Sequence, residues 1–286
     1  MATPNVDTRE FLSQTKFYEG YSRFKEYGNG GYESWNEAVD RVLEMHEENY
    51  AEFETKLRPH LEEARTAYKE QRVLGAQRAL QFGGDQLMKH QMRMYNCTSS
   101  YADRPEFFGE YFYILLCGAG AGFSVQEHHV AKLPKIQQRT KQAKGYIVED
   151  SIEGWASALD VLLSSYFVGG GKFPEYEGRR VFFDLTQIRP KGAKISGGFK
   201  APGPEGLRKS LDKIELILQN LVIDSKEPLV MRPLTVYDIC MHAADAVLSG
   251  GVRRSATICL FSPEDDEMMN AKTGNWFMDN PQRGRS

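Results

Sequence analysis

The run Phe107 to Leu116 is almost wholly aromatic and aliphatic. It stops at Cys117-Gly118-Ala119-Gly120-Ala121-Gly122-Phe123-Ser124-Val125. An apolar run of this length reads as a buried helix, and Gly122-Phe123-Ser124-Val125 alternates as a strand does. Between the two lies nearly bare backbone, which lets a flat or sugar-like ligand lie close. A dinucleotide fingerprint needs a helix after its glycines, to meet the pyrophosphate. Here a strand follows and the third glycine is misplaced, so that reading is set aside. A P-loop is excluded because no Gly-Lys-Ser or Gly-Lys-Thr is present.

The rest of the chain alternates helical and strand patterns. Residues 1–80 read as a helical region. Ser34-Trp35-Asn36-Glu37 fits a capping box, and the alternating charges after it make a solvated helix face. Gly83-Gly84 breaks the helical pattern, and Met94 to Thr98 reads as a short strand. Residues 130 to 180 look like an inserted unit. A basic, polar stretch runs from Lys132 to Lys144. A helix follows with Ile152, Trp155, Leu159, Leu162, Leu163 and Tyr166 as its apolar stripe, ended by Gly169-Gly170-Gly171, and then a strand over Val181 to Leu185. Residues 188 to 207 form a Gly/Pro-dominated loop of a length that usually serves function. Helices are expected from Leu207 to Leu221 and from Thr235 to Ser249, and a strand from Val252 to Phe261. Asp265-Asp266-Glu267 reads as the negative first turn of a helix. Strands separated by helices argue for an α/β architecture.

Bulk properties narrow the function classes. With 286 residues the chain is long enough for a large core, and 41% apolar with 12% aromatic content is globular. A formal charge of −3 gives no global pull toward nucleic acid or an anionic membrane surface. No apolar run spans a bilayer, and the polar N-terminus lacks a signal-peptide core. Four cysteines make no disulfide scaffold and point to reduced thiols in the cytoplasm.

Three segments could carry chemistry. Cys97, in Tyr95-Asn96-Cys97-Thr98, is either a small buried strand residue or a reactive thiol beside a ligand surface; Cys259 could lie near it in space. In Gly250-Gly251-Val252-Arg253-Arg254-Ser255, two adjacent arginines sit between a helix and a strand. They are either solvated or, pointing opposite ways, offer one fork to phosphate or base edges. His128-His129 invites a metal reading, but adjacent histidines point apart on a strand and no ligand set has zinc spacing nearby; no metal is expected.

Taken in order, these segments resemble class II, adenosylcobalamin-dependent ribonucleotide reductases of the monomeric, triphosphate-reducing type. The carriers are Tyr95-Asn96-Cys97, Gly118 to Val125, Glu153-Gly154-Trp155, Asp184-Leu185 with Ile188-Arg189-Pro190-Lys191-Gly192-Ala193, Gly203-Pro204, and Gly251-Val252-Arg253-Arg254-Ser255-Ala256. The resemblance implies an N-terminal helical region (1–80) and then, over 81–286, about the first half of a ten-stranded α/β barrel. An effector-binding insertion would lie at about 130–187. It implies that Cys97 is one of two reducing cysteines, and that Asn96, Gly118, Gly120 and Gly122 line the substrate face. Gly250, Gly251, Val252, Arg253, Arg254 and Ser255 would form the specificity loop.

The implied activity is thiyl-radical reduction of ribonucleoside triphosphates to deoxyribonucleotides. It would use adenosylcobalamin, a thioredoxin-type reductant and a deoxynucleotide effector. In the family the radical cysteine and the second reducing cysteine lie further along the chain, so the resemblance is to a front portion that needs a second polypeptide to complete the barrel. The alternative is a catalytically inactive, nucleotide-binding regulatory module of the same fold.

Overall fold

The computed structural model describes residues 7–25, 30–193, 200–248 and 256–286. Two compact units separate between Tyr95 and Asn96.

The first unit is helical: α1 (Thr8–Gly20), α2 (Trp35–Asn49), α3 (Glu54–Lys69), α4 (Gln77–Phe82) and α5 (Asp85–Lys89). The expected capping box starts α2. Ser34 N–H donates to Glu37 Oε2 at 2.8 Å, and Glu37 N–H donates back to Ser34 Oγ at 3.4 Å. Ala38, Val39, Val42 and Leu43 then bury one stripe of α2 against Tyr68, Ala79 and Leu80. Arg41 ties the unit together. Its fork grips Glu33 at 2.8 and 2.9 Å, and it also donates to the carbonyls of Leu80 and Gly83 at the end of α4. The glycine pair separates α4 from α5, and Gly84 takes a φ of 85°.

The second unit holds both sheets. Its elements are β1 (Cys97–Tyr101), α6 (Phe107–Leu116), β2 (Gly120–Ser124), α7 (Glu127–Val130), β3 (Lys141–Ile147), α8 (Ile152–Tyr166) and β4 (Arg179–Asp184). They continue with α9 (Glu205–Val222), α10 (Pro233–Leu248), β5 (Thr257–Leu260), α11 (Asp266–Met269) and α12 (Trp276–Asp279). Among the described residues, β1, β2 and β5 form one parallel sheet in the order β1-β2-β5, and β3 and β4 form a separate parallel pair. Parallel strands need crossovers, and α6 and α8 supply two of them. Phe107, Phe108, Phe112, Leu159, Leu162, Leu211, Ile214, Val236 and Ile239 merge α6, α8, α9 and α10 into one core against the inner face of the three-stranded sheet.

Three local expectations differ from the structure. Within the stretch read as basic and polar, Lys141 to Ile147 forms β3, because pairing with β4 outweighs its weak apolar pattern. Helix α8 ends at Phe167 in extended backbone; Gly169 and Gly170, with φ of 68° and 69°, form the turn after it. His128 and His129 lie on the short helix α7 and not on a strand.

Candidate functional site

The turn from α6 into β2 shows why glycine stands at 118. Gly118 N–H reaches Leu115 O at 2.9 Å and Ala119 N–H reaches Ile114 O at 3.2 Å, the paired bonds of a Schellman cap. That cap needs left-handed backbone at its central residue, and Gly118 has φ 84°. The turn delivers β2 alongside β1, with Cys97 opposite Gly120 and Ser99 opposite Gly122.

Strand alternation then sorts the sheet into two faces. Phe123, Ala121 and Cys259 look into the core. Cys97, Ser99, Tyr101, Gly120, Gly122, Ile258 and Leu260 occupy the other face, where Cys97, Ser99 and Tyr101 are exposed. The sulfur of Cys97 leans over the glycine strand. A Cβ built on Gly120 would stand 3.5 Å from it, and one on Gly122 would stand 3.2 Å from Ile258 Cγ2. Side chains on β2 would fill the space above the sheet, and the glycines leave it open beside the thiol.

The four cysteines all carry free thiols but differ in setting. Cys97 is exposed, whereas Cys117 and Cys240 are buried. Cys259, half-buried on the core face, has its pKa pushed up to about 12 by burial. Cys97 and Cys259 point to opposite sides of one sheet and do not meet as a pair. Asn96 is exposed, and its backbone carbonyl accepts Gly120 N–H at 2.7 Å, so it is anchored at the start of β2. The expected specificity loop, Gly250, Gly251, Val252, Arg253, Arg254 and Ser255, lies outside the described residues. Its downstream flank does not: Ala256 O accepts Ala121 N–H at 2.9 Å and would sit 3.4 Å from a Cβ on Gly120. Ala256 thus stands at the end of the sheet that carries Cys97. Ser99, Tyr101, Ile258 and Leu260 complete this face. Their signal was the period-2 alternation on either side of the motifs, which the motifs themselves do not contain.

No family model matches the chain. In sequence it is similar to the adenosylcobalamin-dependent ribonucleoside-triphosphate reductase of Lactobacillus gasseri, at 28% identity over 193 residues, 55% of this chain and 25% of that protein. A putative adenosylcobalamin-dependent ribonucleoside-triphosphate reductase of Mycobacterium phage D29 is 26% identical over 278 residues, 84% of this chain and 38% of the phage protein. The crystal structure of a B12-dependent, class II ribonucleotide reductase matches with a TM-score of 0.75 at 21% identity, covering 93% of this chain and 44% of that one. The chain spans less than half the length of each of these relatives. In sequence and in fold alike, it is similar to the adenosylcobalamin-dependent class II ribonucleotide reductases, and its partial coverage fits their N-terminal portion.

Proposed function

We propose that this chain is the N-terminal part of an adenosylcobalamin-dependent ribonucleotide reductase, and that Cys97 is one of the two thiols that reduce the ribose of a ribonucleoside triphosphate. The observation that carries this reading is the exposed Cys97 sulfur beside the bare Gly120–Gly122 backbone. In the net reaction the 2′-hydroxyl leaves as water, a hydrogen takes its place, and two thiols become one disulfide. A ribonucleotide and two thiols thus yield a deoxyribonucleotide, a disulfide and water. A thioredoxin-type protein returns the disulfide to thiols.

The second reducing cysteine and the thiyl-radical cysteine come from a second polypeptide, which completes a ten-stranded barrel around about one half held here. Ile258 and Leu260, 62% and 58% exposed on the face of Cys97, support a covering element on that side. Asn96, Gly118, Gly120 and Gly122 form the substrate floor. Gly250 to Ser255 form the specificity loop, a reading supported by the position of Ala256 beside the floor. The insertion at about 130–187 takes the deoxynucleotide effector.

Adenosylcobalamin is the cofactor that the relatives' names carry. When bound, it supplies the radical that the thiyl cysteine holds. A corrin ring needs a broad recess with hydrogen-bonding groups for its amides. The face of Cys97 offers two glycines, Ser99, Tyr101 and the aliphatic Ile258 and Leu260, too few hydrogen-bonding groups to fit such a ring. The corrin contacts belong to the remainder of the assembly.

The test is ribonucleoside-triphosphate reduction, with adenosylcobalamin and a dithiol, by this chain together with a polypeptide supplying the rest of a relative's barrel. Cys97→Ser is expected to abolish turnover while nucleotide binding persists. Turnover by this chain alone contradicts the need for a second polypeptide, and unchanged turnover in Cys97→Ser contradicts the redox role. Nucleotide binding without any turnover in the assembled wild type favours a regulatory module.

A further inference from the structure

Among the described residues, β3 and β4 stand apart as a two-stranded parallel pair, and one face of that pair is bare. Parallel strands are normally covered on both faces. Here Tyr146, Val181 and Phe183 turn inward and pack with Val161 and Tyr176. Alternation puts Gly145, Ile147, Arg180, Phe182 and Asp184 on the other side, with Gly145 opposite Phe182 and Ile147 opposite Asp184. Phe182 and Ile147 are 58% and 54% exposed. A Cβ built on Gly145 would meet nothing nearer than Phe182 O at 4.0 Å, so an open trough runs beside the phenyl ring.

Charge is graded along this ribbon. No Asp or Glu lies between Lys132 and Lys144. Arg139 and Lys172 are neutralised by Glu215 and Asp160. Lys141, Lys144, Arg179 and Arg180 form no ion pair among the described residues. Arg179 is held at the start of β4 by donating to the carbonyls of Glu175 and Gln142, each at 3.1 Å. Lys144 and Arg180 lie over the rings of Tyr176 and Phe182, at 4.3 and 5.6 Å. Of the two acidic residues in the turn before β4, Glu177 is engaged by Gly169 N–H at 3.1 Å, so positive charge is in excess at this end. The far end carries a carboxylate, Asp184, whose Oδ1 accepts Thr186 N–H at 2.9 Å.

We propose that the outer face of β3 and β4 docks an extended peptide segment of a partner protein, acidic at one end and followed by an apolar anchor. The cations at the strand starts meet its carboxylates, and the arginine forks do so with fixed geometry. The anchor fills the trough that Phe182, Ile147 and Gly145 leave open. From Lys141 to Ile147 the ribbon runs from cationic through apolar to anionic over about 20 Å at the usual rise. That order selects a peptide over a nucleic acid, whose charge is negative along its whole length and which Asp184 would repel. The net charge of −3 conceals this local excess of cations. A surface of this size supports a weak, transient complex. Nothing in the inference depends on Cys97 or on the effector assigned above.

The probe is a fluorescein-labelled peptide, a run of glutamates followed by a leucine–phenylalanine pair, titrated with the full chain and read by fluorescence anisotropy. Saturable binding is expected, and it should weaken as ionic strength rises. Phe182→Ala should weaken it roughly tenfold, the scale of one anchoring side chain. Arg180→Glu should weaken it by about tenfold or more, since it places like charges together. Both side chains are exposed, so circular dichroism spectra and thermal midpoints should match wild type. A peptide with lysines in place of the glutamates should not bind. Absence of saturable binding by the glutamate peptide, equal binding by the lysine peptide, or unchanged affinity in both variants overturns the proposal. Tighter binding of an oligothymidylate assigns the face to nucleic acid, and displacement of the peptide by deoxynucleoside triphosphates assigns it to the effector; either result overturns the proposal too. Cys97→Ser should bind the peptide as wild type does whether or not Cys97 proves redox-active, so the two readings fail separately.

Discussion

Cys97 and Gly120 face each other across β1 and β2 so closely that the first side-chain atom of any other residue at 120 would touch the sulfur, at 3.5 Å. The accessibility of that thiol is thus a property of its neighbour strand. Gly120→Val adds branched bulk over the sulfur while keeping a strand-compatible backbone. Reconstituted turnover should fall on the order of a hundredfold, as expected for displacing a reacting group by about 1 Å. The thermal midpoint, read by circular dichroism, should move far less than turnover does.

The thiols should separate by reactivity. Thiolate is the reactive form, and a pKa of about 12 for Cys259 leaves on the order of one molecule in ten thousand ionised at pH 8. Burial also pushes the Cys240 thiol well up. A native-state thiol titration should therefore show one fast-reacting group, and Cys97→Ser should remove it. A fast phase that survives in Cys97→Ser contradicts the exposure pattern.

The start of α2 carries an acid dependence. Hydrogen bonds from Lys25 and then from Ser34 hold the Glu37 carboxyl down at about 2. Its folded pKa lies below its unfolded value of 4.5, so its stabilisation is present above pH 4.5 and is lost as pH falls toward 2. Chemical denaturation across that window should show the loss, and Glu37→Gln should flatten it.

Asp160 predicts the opposite slope at higher pH. Burial raises its carboxyl to about 6, despite the bond from Lys172 at 2.9 Å and the backbone hydrogen bond from Gly109, both of which lower it. Its folded pKa lies above the unfolded 3.8, so the native state gains from protonation below that value and loses this gain as pH rises through 6. A shift of this size corresponds to roughly 3 kcal/mol. Asp160→Asn should remove the decline between pH 4 and 6 in urea titrations. A decline that persists in the variant assigns it to another group.

Much of this molecule was legible in local sequence. The capping box at Ser34 and Glu37, the buried helices α6, α8, α9 and α10, and the helix-to-strand turn at Gly118 each follow from side-chain periodicity and from the backbone freedom of one glycine. These are short-range effects, settled among residues a few positions apart. The motif order also points to the reductase relatives.

What required the tertiary structure is the answer to which side of a strand faces what. Cys97 and Cys259 are both strand cysteines, and nothing in their neighbours along the chain separates the exposed thiol from the inert one. Side-chain direction alternates along a strand, and only the packing of α6 and α10 decides which face of the sheet loses its water. The same packing brings Ala256 beside Gly120 and sets His129 against Tyr101, contacts between residues far apart in sequence or on different elements. Local composition determined the elements, and long-range burial chose which of their side chains chemistry can reach.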